Sequence, residues 1–370
     1  MGTLFDYLDW RGDLSFSACP LGEVDNLIFS NVCYLDFEGI ISDKLDKSIM
    51  YLTAMKRYKQ LHKGEVGYLG LIFPTDMVKL ATKAARSERF GRTRVAGHIN
   101  IIDLSVEMQF SATTFLLDDN SCFVSFRGSD DTLVAWKENF NMSFMSTVPA
   151  QEKALEYLED VARTYPQRHI YVGGHSKGGN LAIYAAAKCS PEVKERIACV
   201  YSNDSPGFSK EFLESEGYAG VKDRVKALVP QSSVIGLLLE HVDGQTVVKS
   251  NHTGLYQHDC LGWEIKGKSL VHLDKLTADS QSIDRTLKVW LSDMSTEKRR
   301  RIVNTVYDII SSDSVKTLTE LNADKKLMLK AWNSLDVEDR KYIRQLAHQL
   351  VKISTSRKKD SATQANTIKN

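Results

Sequence analysis

Proline, glycine, paired cysteines, excess charge of one sign and long apolar runs are all scarce in this 370-residue chain, and each scarcity closes off a class of proteins. With 7 Pro and 22 Gly it is neither collagen-like nor proline-rich low-complexity sequence. The 6 cysteines, Cys19, Cys33, Cys122, Cys189, Cys199 and Cys260, are scattered without a Cys-x-x-Cys pair, so their spacing points to neither zinc nor dithiol redox work. They read as reduced, mostly buried thiols of a cytoplasmic protein. Lys and Arg number 48 against 47 Asp and Glu, a net charge of +1, so no global field draws the chain to nucleic acid. The longest apolar stretches, such as 234–239, are far too short to span a bilayer. The opening residues lack a basic segment followed by an apolar one, which argues against a secretory signal. Gly2 fails as a myristoylation site because Asp6 stands where Ser or Thr is needed. No metal-ligand cluster and no phosphate-cradling glycine loop is visible, so neither metal nor cofactor is expected.

What is present is ordinary for a globular protein: 42% hydrophobic and 26% charged residues, enough chain for one large domain or two modest ones. Residues 25–37 carry Leu27, Ile28, Val32 and Leu35 at helical spacing behind an acidic start, and 50–61 and 76–85 look similar. The pattern then changes. Residues 106–117 alternate and are β-rich, Asp118, Asp119 and Asn120 make a turn, and 121–126 is a second strand. A helix around 135–139 and an amphipathic one over 151–164 come next, then strand 169–173 and a small-residue helix over 178–188. Further strands are expected at 197–202, 225–229 and 246–250. Alternating strands and helices predict an α/β fold with a mostly parallel sheet flanked by helices. Beyond about 280 only charged amphipathic helices remain, at 282–294, 296–311 and 337–353, and the basic run Lys298 to Arg301 reads as a solvated helix face. The expected organisation is an N-terminal helical segment (1–100) packed on an α/β core (101–280), a C-terminal helical appendage (281–353) and a disordered polar tail (354–370).

The chemistry concentrates in Gly174-His175-Ser176-Lys177-Gly178, which lies directly between a β-run and a helix. A serine at such a turn is held in strained backbone geometry with its hydroxyl presented, and glycines two residues to either side relieve the crowding. The helix N-terminus then aims backbone N–H groups and a positive dipole end at a developing oxyanion. Gly174 and Gly178 are therefore read as structural members of a nucleophile elbow, and Ser176 as the nucleophile. His175 is read as a packed or hydrogen-bonded scaffold residue that points away from the serine.

The run from Tyr165 to Ala182 resembles the corresponding block of class 3 lipases in the α/β-hydrolase superfamily, as does Phe123-Val-Ser-Phe-Arg127-Gly128-Ser129-Asp130 followed by Trp136. More closely, Phe5-Asp-Tyr-Leu-Asp-Trp10, Glu23-Val-Asp-Asn-Leu27, Asn203-Asp204-Ser-Pro-Gly-Phe208 and Gln257-His258-Asp259 are similar to the bacterial Mbeg1-like family, a lipase-like domain of unknown function. The resemblance implies an α/β-hydrolase fold and a serine esterase or lipase acting on a small-molecule or lipid ester. It implies that the backbone N–H groups of Lys177 and Ser129 hold the oxyanion. The Lys177 ammonium itself has two open readings, a cation facing a substrate anion or a surface side chain with a packed stem.

The superfamily order is serine, acid, histidine. His258, in the block matching the lipase-like family, is the expected base, with His252 and His272 as alternatives; His348 belongs to a helix of the appendage. Class 3 lipases place the acid after the following strand, where this chain reads Val229-Pro-Gln231-Ser232-Ser233 and has none. Asp204 is therefore taken as the acid, with Asp243 in reserve. Residues 208–222 and 232–245 are positioned to form a lid or acyl pocket, lined by Leu237, Leu238 and Leu239 unless these belong to the core. Two other readings stay open: a lipase-like scaffold that binds a ligand or partner without turnover, and an acyltransferase using the same serine.

Overall fold

A computed structural model of the chain describes residues 2–62, 76–311, 315–323, 325–341 and 343–344. The expected helix at 337–353 lies largely outside these residues, and His348 and the tail wholly so.

The strands are β1 (Ile49–Met50), β2 (Arg94–Asp103), β3 (Met108–Leu116), β4 (Ser121–Phe126), β5 (His169–His175), β6 (Ile197–Asn203), β7 (Val225–Pro230), β8 (Thr246–Val248), β9 (Ile265–Lys266), β10 (Ser269–Leu270) and β11 (His272–Leu273). One 9-stranded sheet runs in the order β1-β2-β3-β4-β5-β6-β7-β8-β11, and β9 and β10 form a separate hairpin. Strands β4 to β8 are parallel neighbours, whereas β1 to β3 and β11 add antiparallel edges. The result is a mixed α/β fold whose large central sheet is mostly parallel.

Side chains alternate across the parallel strands as the pleat requires. In β4, Cys122, Val124 and Phe126 face one core while Phe123 faces the other; Val200 and Tyr201 divide likewise on β6. Helices α1 (Leu4–Arg11), α2 (Glu23–Val32), α3 (Tyr51–Leu61), α4 (Asp76–Arg86) and the short α5 (Glu88–Gly91) cover the first face. There Phe29 packs against Phe115 and Phe123, with ring centroids 4.7 and 5.1 Å away. The N-terminal segment is thus one layer of the sandwich. It is locked by a fully buried bidentate pair, Arg89 Nε and Nη2 donating to Asp25 at 2.7 Å, with the Tyr7 hydroxyl on the same carboxylate at 2.9 Å.

The opposite face is covered by α6 (Leu133–Asn141), α7 (Pro149–Thr164) and α8 (Lys177–Lys188), whose Leu158, Leu181 and Ala182 are fully buried. Three short helices follow, α9 (Pro191–Arg196), α10 (Lys210–Leu213) and α11 (Glu216–Ala219). Five cysteines are buried and Cys19 is half-buried, all of them free thiols.

The C-terminal region contains α12 (Ala278–Ser292), α13 (Thr296–Ile310), α14 (Leu318–Ala323) and α15 (Lys325–Ser334). It is tied to the core next to α6: Leu133 N donates to Lys316 O at 2.8 Å and Leu318 N to Asp131 O at 2.9 Å. Of the basic run, Arg300 and Arg301 are exposed on α13 as expected, Lys298 and Arg299 are half-buried, and all four have partners. Lys298 lies 3.6 Å from Asp339, Arg301 donates to Asp339 at 2.9 Å, Arg299 reaches the Ser143 carbonyl and Arg300 lies over the Phe144 ring. Among the described residues no helix is long and apolar enough to cross a membrane.

Candidate active site

Ser176 occupies the single residue between β5 and α8, with φ 57° and ψ −132°. A positive φ at a non-glycine residue is costly, about 1–3 kcal/mol, and persists only when its surroundings impose it. Here the strand, the helix and the Ser176 N–H, which donates to Asn203 O at 2.9 Å, impose it. The glycines are required by space: a Cβ on Gly174 would lie 2.5 Å from Phe126 O, and one on Gly178 would overlap the same carbonyl. The Arg127-Gly128-Ser129 turn lies against the elbow, since a Cβ on Gly128 would sit 3.1 Å from Ser176 Cβ and 2.6 Å from His175 O.

His258 ends a 3-10 turn (Gly254–His258). Gln257 anchors that turn by accepting from Ser232 N at 2.8 Å and donating to His252 O at 2.9 Å. His258 Nδ1 meets Asp204 Oδ2 at 2.7 Å, with both side chains buried. A carboxylate oxygen only accepts, so Nδ1 carries the proton and Nε2 keeps the lone pair in the neutral ring. Asp204 follows β6 at φ 48° and also accepts from the Ser233 hydroxyl and, at 3.1 Å, from Gly236 N. The residues that follow β7, where the sequence lacks the acid that the class 3 resemblance led us to expect, therefore supply donors to Asp204.

The alternative residues face elsewhere. His252 Nδ1 is 3.1 Å from Tyr256 O, His272 Nε2 is 3.2 Å from Glu23, and His241 Nε2 is 3.0 Å from Asp284. Asp243 lies beside Tyr218. Of the described histidines that follow the serine, His258 alone is paired with Asp204.

Three features differ from expectation or were invisible in the sequence. The Lys177 ammonium follows neither open reading: it is fully buried, donating to Glu138 at 2.7 Å and to Gln109 O at 2.6 Å, so it faces neither substrate nor solvent. Leu237 is fully buried, the core alternative, whereas Leu238 and Leu239 are half-buried, and the segments at 208 and 240 are joined by paired backbone bonds between Phe208 and Glu240. Ser129 Oγ is engaged by Asn139 Nδ2 at 2.8 Å, which orients the turn whose N–H was expected to face the oxyanion. Glu138, Asn139 and Ser233 carried no local motif; only proximity in the fold reveals them.

Among the described residues Ser176 Oγ makes no hydrogen bond, with His258 Nε2 or with any other atom. Such bonds are commonly long without substrate and tighten when it binds. No group of His, Cys, Asp and Glu among the described residues is arranged to hold a metal.

Comparison with solved structures gives lipases at low identity. The Rhizomucor miehei lipase in its propeptide complex matches at 15% identity and TM-score 0.32 over 43% of this chain, so the match spans only 57% of that lipase. Lip2 lipase from Yarrowia lipolytica matches at 11% and 0.35, covering 55% of this chain and 78% of its own. The lipase from Rhizopus microsporus var. chinensis matches at 14% and 0.35, covering 71% and 84%. No curated protein matches the chain. The Mbeg1-like family model matches residues 84–308, a span that holds the elbow, Asp204 and His258. On that match over more than half of its length, the chain belongs to the Mbeg1-like family.

Proposed function

We propose that the protein is a serine hydrolase that cleaves a carboxylic ester, of a small molecule or a lipid, through an acyl-enzyme on Ser176. The observation that carries the reading is the buried His258–Asp204 hydrogen bond of 2.7 Å, in a chain whose serine sits at positive φ on a strand-to-helix turn. Ser176 Oγ attacks the ester carbonyl carbon as His258 Nε2 takes its proton. Asp204 holds the imidazole with Nε2 free to accept. The oxyanion is held by the N–H of Lys177, which has no intrahelical acceptor at the first turn, and by the N–H of Ser129. Each such donor lowers the barrier by about 3 kcal/mol. Collapse expels the alcohol, protonated by His258, and water then releases the acid by the same steps in reverse.

The test is covalent labelling by a fluorophosphonate probe of wild type beside Ser176→Ala, His258→Ala and Asp204→Ala. Labelling that vanishes with Ser176→Ala and falls sharply with the other two supports the assignment. Folded wild type that stays unlabelled, in detergent and lipid as well as in buffer, refutes it and favours the binding scaffold. An acyltransferase would label like the hydrolase and then pass its acyl group to an added alcohol faster than to water.

A further inference from the structure

The Gln257-His258-Asp259 loop must present an imidazole to a serine on a different element, yet the Asp204 bond fixes only one end of the ring. A second restraint acts on the backbone of that residue. His175 Nε2 meets His258 O at 2.7 Å, and His175 Nδ1 meets the Tyr34 hydroxyl at 3.0 Å. His175 is buried, and its ring lies 4.3 Å from the His258 ring between centroids, tilted by 40°. The proton positions follow from the partners. A carbonyl oxygen only accepts, so Nε2 carries the hydrogen, and Nδ1 accepts from the Tyr34 hydroxyl. Burial first, and then the neighbouring His258, push the His175 imidazole well below its ordinary value, which keeps the ring in this single-proton form.

We infer that His175, with its tautomer set by Tyr34, is a positioning residue that fixes His258 against Ser176 through the His258 carbonyl. This rests on the reading of Ser176 and His258 given above. The arrangement is economical in covalent terms. His175 is bonded directly to Ser176, so one peptide link separates the nucleophile from the group that anchors its base. Tyr34 follows α2, and its hydroxyl also contacts the Gly128 backbone, in the turn that leads to Ser129. The N-terminal layer thereby touches the elbow and the oxyanion turn through a single phenol, and reaches the base through His175. The titratable groups about the His258 ring are Asp204 on Nδ1, His175 beside it and the adjoining Asp259, whose carboxyl is pushed up by burial.

The experiment compares His175→Leu, which removes the donor, with His175→Gln, whose amide can still donate to His258 O. The first readout is the pH profile of fluorophosphonate labelling, with p-nitrophenyl butyrate turnover beside it. A base displaced by about 1 Å costs about 100-fold, so His175→Leu should slow labelling by about 10- to 100-fold and lower kcat rather than raise KM. Its acid limb should shift, while His175→Gln returns to within about threefold of wild type. Equal rates and acid limbs in wild type and His175→Leu, or a His175→Gln as slow as His175→Leu, overturn the inference. If His175→Leu does not fold, Tyr34→Phe keeps the comparison: about tenfold slower labelling upholds it and parity with wild type overturns it. Should wild type itself resist labelling, the hydrolase reading fails separately, and the low-field proton resonance of His258 Nδ1–H decides. A resonance broadened in His175→Leu and retained in His175→Gln upholds the positioning role; one unchanged in both variants overturns it.

Discussion

The buried pair beneath the elbow permits a quantitative test. Lys177 and Glu138 are both wholly inaccessible, and their charges lie 2.7 Å apart. Their other partners are unequal. Glu138 also accepts from Gln109 N at 3.2 Å and from Ala150 N at 2.9 Å, whereas the Lys177 ammonium has only Gln109 O besides. Removing the carboxylate leaves a buried cation on one carbonyl and strands two backbone donors. Removing the ammonium leaves a carboxylate that keeps both donors. Breaking a buried pair costs about 3–5 kcal/mol, so Glu138→Leu should fall at about 5 and Lys177→Met at about 3 kcal/mol. The double variant loses both charges and retains mainly the two orphaned N–H groups, at about 3 kcal/mol. That is far below the sum of the singles, so the double-mutant cycle should return a large favourable coupling. Isothermal chemical denaturation followed by tryptophan fluorescence measures all four proteins. Additive single effects, or a Lys177→Met as costly as Glu138→Leu, would refute the reasoning.

Two further predictions follow from backbone strain and from proton linkage. Ser176→Gly should raise stability by about 1 kcal/mol, because glycine adopts the positive φ without penalty, while fluorophosphonate labelling is lost; a less stable variant would contradict the strain. His175 is held neutral by burial, so below its ordinary value of about 6.5 the unfolded chain binds a proton that the folded chain does not. Its contribution to stability is therefore intact above that value and declines as pH falls, by at most about 1.4 kcal/mol per unit. The difference in stability between wild type and His175→Gln, from denaturation at pH values between 7.5 and 5.5 (roughly a unit either side of that pKa), should shrink on acidification; a constant difference would contradict the linkage.

The sequence discloses what is local. Strand β4 alternates between two cores, and the elbow places its glycines, serine and helix within a few consecutive residues, so both are legible in order. Strand β2 is not, because the register shifts between Ala96 and Ile99 and Gly97 stands at φ 64°, which breaks the alternation that marks a strand. Strands β1, β9, β10 and β11 are two residues each, too short for any period. At the site, Lys177 looked like a surface or substrate-facing cation because its partner Glu138 is 39 positions away. Tyr34 is 141 positions from His175, and no spacing in the chain brings them together.

The missing class 3 acid is the instructive case, because the gap in the motif is where the sheet compensates. Strands β6 and β7 are parallel neighbours, with Asn203 opposite Leu228, so their C-terminal ends open side by side at the ordinary inter-strand spacing. The Asp204 carboxylate, just beyond the β6 end, reaches the histidine loop at 2.7 Å. In the triad proposed above the acid follows β6: Asp204 N donates to Leu228 O at 2.8 Å, and Asp204 stands at positive φ. The residues beyond β7 no longer need to supply a charge, and they supply hydrogen bonds instead, from the Ser233 hydroxyl and Gly236 N. A carboxylate satisfied in this way by donors other than the imidazole is held in one orientation, which is what an orienting acid requires. On the proposed reading, the condition on the acid is proximity to the histidine loop, and Asp204 meets it from the end of β6 at 2.7 Å from His258.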